Sequence, residues 1–136
     1  MNPPGPPKLS PSRPRSILVY SCSGCSSAAQ MANAIALKLD REGRAEMSCI
    51  AGIGGGVESL LRKGRVADLV LALDGCPLAC VRHCLEREGL RCDRRWDLSR
   101  MGVAKKFHED YDPVQAETLY RKIVADLEAL LAEVGA

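Results

Sequence analysis

At 136 residues and 46% hydrophobic content, the chain is long enough for one domain with a continuous core. A net charge of only +2 excludes the strongly basic character of a nucleic-acid binder, although residues 82–106 carry eight Lys or Arg against four Asp or Glu. No apolar stretch reaches the roughly 18 residues needed to span a bilayer and the N-terminus lacks the apolar core of a signal peptide, so a cytoplasmic protein without a membrane partner is expected.

Met1–Arg15 are rich in proline, with little apolar surface to bury, and read as a disordered tail. The remainder, residues 16–136, reads as one α/β domain. Ile17–Tyr20 form a short β-branched apolar run, and Met31, Ile35 and Leu39 recur at helical spacing after it, giving strand, loop and helix. Ser27 and Gln30 have capping-box spacing for the start of that helix, and Gly43 supplies its stop. A second strand is expected over Ala45–Ala51, followed by a Gly-rich turn at Gly52–Gly56 and a helix over Val57–Lys63. Ala67–Leu73 are nearly all apolar, as in a strand buried on both faces of a parallel sheet. Pro77 fits the first turn of a helix running to Glu88, Arg91–Leu98 suggest a fourth strand, and Leu119, Ile123, Leu127, Leu130 and Val134 make the apolar stripe of a C-terminal helix. The repeated order implies right-handed crossovers: a small three-layer α/β/α domain with a mainly parallel four-stranded sheet, Rossmann-like or flavodoxin-like.

Seven cysteines in a reducing compartment are poor candidates for a disulfide framework, which turns attention to metal binding or thiol chemistry. In an open parallel sheet the residues after each strand gather along one edge. Cys22 and Cys25 follow the first strand, Cys49 ends the second and Cys76 follows the third, with Cys80 one helical turn farther on the same face. Five thiols are thus expected at one rim. A C-x-x-C loop and an i, i+4 helical pair provide four sulfurs for one ion, and the spacing serves Zn²⁺ or an iron–sulfur cluster equally. Cys25 and Cys76 are also expected near helix N-termini, where thiolate is favoured.

The other candidates have plainer readings. Cys84 is expected in the core and Cys92 in a structural role, while His83 has the wrong helical phase and His108 lies in a polar loop. Gly54, Gly55 and Gly56 form a tight turn without the Lys-Ser or Lys-Thr of a phosphate loop. Asp74 reads equally as a ligand-orienting carboxylate or a helix cap.

Three motifs in order carry a resemblance: Tyr20-Ser-Cys-Ser-Gly-Cys-Ser, Ala45-Glu-Met-Ser-Cys-Ile-Ala-Gly and Leu73-Asp-Gly-Cys-Pro-Leu-Ala-Cys. Over roughly Ile17–Lys106 the chain resembles the DGC domain family, small proteins described as zinc-binding and named for the triplet that here is Asp74, Gly75 and Cys76. The resemblance implies metal ligation by Cys22, Cys25 and Cys76, with Cys49 or Cys80, and implies no reaction. The resulting expectation is a cysteine-rich zinc protein of accessory rather than catalytic role, a metal ion being its one identifiable partner. The alternatives are a thiol–disulfide or sensor pair at Cys22 and Cys25, or an iron–sulfur electron carrier.

Overall fold

The computed structural model describes residues 15–135. The expected disordered tail lies, except for Arg15, outside those residues. Four strands, β1 (Ile17–Ser21), β2 (Glu46–Met47), β3 (Leu69–Asp74) and β4 (Arg94–Asp97), form one all-parallel sheet in the order β2-β1-β3-β4. Five α-helices accompany it: α1 (Ser27–Arg41), α2 (Ile50–Gly54), α3 (Glu58–Val66), α4 (Cys80–Arg87) and α5 (Pro113–Gly135). The chain leaves β1 in one direction to reach β2 and then crosses back past β1 to reach β3. Right-handed crossovers therefore place α1 on one face and α2, α3 and α4 on the other. Contacts agree, since α1 meets α5 while α2 meets both α3 and α4. The expected parallel α/β domain is what forms.

Every residue of β3 is buried, and Leu18, Val19 and Tyr20 of β1 are inaccessible beside it. Two central strands covered on both faces explain the near-continuous apolar runs. Helix α1 contributes Met31, Ile35 and Leu39, and α5 contributes Leu119, Ile123 and Leu127. Asp126 of α5 accepts from Trp96 Nε1 at 2.9 Å and from Arg94, tying that helix to β4.

Boundaries differ from expectation for local reasons. The second strand shrinks to two residues because Cys49 becomes the cap of α2, with its sulfur accepting from the Gly52 amide at 3.4 Å. Part of the expected Gly-rich turn is therefore helix α2. The cap of α1 is Ser26, one residue before the expected Ser27; Ser26 Oγ accepts from the Ala29 amide at 3.1 Å. Gln30 reaches back as expected of it, but to the carbonyl of Gly24 at 2.5 Å. Helix α4 starts at Cys80 rather than at Pro77, so Cys76 and Cys80 do not share a helical face. The interruption is Ala79, whose φ of 54° and ψ of 48° put a buried non-glycine residue in the left-handed region, at a cost of about 1–2 kcal/mol.

Candidate functional site

In a parallel sheet of this order the chain reverses direction between β1 and β3, and that switch point opens a crevice at the C-terminal ends of the strands. The loop after β1 supplies Cys22 and Cys25; the turn after β3 supplies Cys76 and Cys80. All four line one cavity of about 150 Å³, together with Ala29, Asp74, Leu78, Lys105 and Phe107. Cys22 is buried at its base, Cys76 is half-buried, and Cys25 and Cys80 are exposed. Cys49 does not line this cavity; its sulfur is engaged at the start of α2. The structure thus joins four of the five expected thiols in one crevice and sets the fifth beside another helix.

Gly75 connects the two halves. Its amide donates to Cys22 Sγ at 3.2 Å, while the amide of Cys22 donates to the carbonyl of Leu73 at 3.0 Å. A methyl group on Gly75 would stand 2.6 Å from the carbonyl oxygen of Ala28, so only glycine lets the turn approach the first residues of α1. Burial pushes the Cys22 thiol up to about 11; the Gly75 amide opposes this, and Asp74, Cys80 and Cys76 reinforce it.

Asp74 is the helix cap of its two sequence readings. Ala79 has no side-chain oxygen with which to cap α4, and the buried carboxylate of Asp74 accepts from the amides of Val81 at 2.8 Å and Arg82 at 3.3 Å. Arg95 neutralises it, with Nε 2.8 Å from Oδ2. The Asp-Gly-Cys triplet therefore has three separate tasks: Asp74 fixes α4, Gly75 permits close packing and holds Cys22, and Cys76 presents a sulfur to the cavity.

Lys105 was not among the sequence candidates. Its Nζ lies 3.4 Å from Cys76 Sγ and 5.4 Å from the centroid of the Phe107 ring. The segment reaches the cavity because Ser27 grips it: the Ser27 amide donates to the Lys106 carbonyl at 2.8 Å, and the Lys106 amide to Ser27 Oγ at 3.0 Å. A lysine 29 residues beyond Cys76, in a loop without periodicity, gives no sequence signal of this contact.

Cys84 is half-buried, its sulfur 3.3 Å from where a Gly54 side chain would start, consistent with packing of α4 on α2. Cys92, His83 and His108 are exposed and outside the cavity. Among the described residues no three His, Cys, Asp or Glu side chains stand close enough together to hold a metal ion as they are placed. A larger cleft of about 680 Å³ lies at the opposite ends of the strands, where Arg44 already pairs with Glu42 and Glu128. Among the described residues, no helix is long and apolar enough to cross a membrane.

No solved structure matches the chain. The anaerobic and virulence modulator AnvM of Pseudomonas aeruginosa is 49% identical over 118 residues, which cover 87% of this chain and 87% of that protein. The DGC domain matches residues 18–123, a span that contains the sheet except for Ile17 and includes the four cysteines of the crevice. The chain belongs to the DGC domain family.

Proposed function

We propose that this cysteine-rich protein binds a metal ion, Zn²⁺, through Cys22, Cys25, Cys76 and Cys80. The observation that carries the reading is the convergence of four thiols from two loops on one small cavity at the switch point. Zinc takes four thiolates in tetrahedral array at about 2.3 Å, and the donors fit that demand in kind and number. Their side chains stand wider than a ligated set, so binding draws the loop after β1 toward the turn after β3. Zinc has no redox chemistry of its own and in such a site supplies a crosslink between the two loops.

The role is accessory rather than catalytic. Asp74, the carboxylate of the described lining, is committed to Arg95 and α4, which leaves it unsuited as a general base. The cytoplasm suits a chain whose seven cysteines all stand as free thiols. One observation favours a second reading in altered form: Cys22 of the expected Cys22 and Cys25 pair is buried, whereas Cys25 and Cys80 are both exposed at the same cavity, as suits a sensing pair. The description of AnvM as an anaerobic modulator is compatible with either.

Elemental analysis of protein purified without oxygen separates these readings. Zinc binding predicts about one zinc per chain, lost in Cys22→Ser and Cys76→Ser and retained in Cys49→Ser and Cys92→Ser. A metal-free protein whose thiol count falls reversibly on mild oxidation replaces the zinc site with a redox pair. A brown protein containing iron and sulfide assigns the same thiols to a cluster.

A further inference from the structure

We propose that Lys105 is the charge partner of the metal–thiolate site and sets how tightly the four sulfurs hold the ion. This inference rests on the zinc reading above. Four thiolates around Zn²⁺ carry a net charge of about −2, which a partly apolar cavity solvates poorly. Leu78, Ala79, Ala29 and Phe107 supply that apolar lining. Lys105 is the one cation among the described residues that line the cavity, and its ammonium donates to Cys76 Sγ.

Two features show that the position of Lys105 is built rather than incidental. The backbone on either side of it is pinned to Ser27, whose Oγ also contacts the Ala104 carbonyl at 3.5 Å. The Phe107 ring lies beneath the ammonium, an arrangement that favours the cation without neutralising it. The neighbouring Lys106 turns instead to Glu109 at 3.9 Å. Asp74, the carboxylate among the described lining residues, is already paired with Arg95. The positive charge of Lys105 is therefore free to act on the thiolates. Donors that touch metal ligands from outside commonly alter affinity 10–100-fold when removed.

The test is zinc affinity by competition with a chromophoric chelator, on the full chain and on Lys105→Met, Lys105→Gln and Lys105→Arg. Removing the charge is expected to weaken binding roughly 10–100-fold in the Met variant and nearly as much in Gln, which keeps a donor but no charge. Arginine keeps the positive charge and is expected to restore most of the affinity lost in the Met variant. The Co²⁺-loaded proteins provide a second readout: the sulfur-to-cobalt charge-transfer band should shift in Met and Gln and return in Arg. Melting temperatures of the ion-free variants should match the parent, which separates this role from a folding defect. If the parent binds zinc and Lys105→Met binds it equally well with an unshifted cobalt band, the assignment of Lys105 is overturned while the zinc site stands. If the parent does not bind zinc, the site and this inference fall together.

Discussion

The amide of Gly75 donates to the sulfur of Cys22 at 3.2 Å, so the turn that leaves β3 holds the buried thiol that follows β1. The contact requires the backbone of Gly75 to press on that of Ala28. Gly75→Ala places a methyl group 2.6 Å from the Ala28 carbonyl oxygen, against backbone rather than a yielding side chain. The variant should lose about 1–3 kcal/mol of stability, seen as a lower denaturation midpoint in chemical unfolding. An unchanged midpoint shows that the turn can move away from α1 at no cost.

Asp74 makes a different prediction, because its carboxylate serves two backbone amides and a guanidinium from a buried position. Asp74→Ala leaves the Val81 and Arg82 amides without their acceptor and Arg95 with only Asp97, 3.7 Å away, and should cost about 2–4 kcal/mol. Asp74→Asn keeps an acceptor for the helix and should cost less. Urea titration of both variants checks the order; equal losses would show that the charge pair with Arg95, not the cap, carries the effect.

How much of this site could be read from the chain alone differs from residue to residue. The apolar run of β3 and the cysteines after β1 and β3 announce a parallel sheet with thiols on its C-terminal edge, since burial on two faces leaves few polar positions. The start of α4 was hidden. Pro77 is an ordinary first-turn residue, yet the left-handed Ala79 and the distant cap from Asp74 delay the helix to Cys80. Cys49 was misplaced for a related reason: strand propensity extends through Ser48, whereas the cap of a five-residue helix turns the cysteine aside. Lys105 was illegible because tertiary contacts with Ser27, not a local pattern, bring it to Cys76.

Thiol reactivity should distinguish the four cysteines in the ion-free protein. The thiolate is the nucleophile, and burial holds Cys22 as a thiol up to about pH 11. At pH 8 only about one part in a thousand of Cys22 is ionised, and alkylation should accelerate about tenfold per pH unit until that value is approached. Raising the pH therefore increases its reactivity, while the exposed Cys25 and Cys80 are modified first. Timed iodoacetamide labelling followed by peptide mass spectrometry measures the order. Early modification of Cys22 at pH 8 contradicts its burial beneath the Gly75 amide.

If the proposed zinc site is filled, metal removal should loosen the rim without unfolding the domain. The core is made by Leu18, Val19, Leu71 and Leu73 in the sheet, with Ile35 and Ile123 from its helices, none of which needs the sulfurs for burial. Folding is therefore expected not to depend on the ion, unlike that of small zinc domains. On the zinc reading proposed above, the ion would bind the folded state preferentially, because only the fold brings the loop after β1 to the turn after β3. At free zinc about a thousandfold above the dissociation constant, mass action adds about 4 kcal/mol of stability. A cooperative melt should therefore survive chelation and move to higher temperature on zinc addition. Cys76→Ser should abolish that rise, because it deletes the sulfur at the centre of the turn, whereas Cys92→Ser should preserve it, because Cys92 lies outside the cavity. Calorimetry with and without chelator on the three proteins is the measurement. An equal zinc-induced rise in the Cys76→Ser protein would place the ion elsewhere, and loss of the cooperative melt on chelation would make the metal part of the folding core.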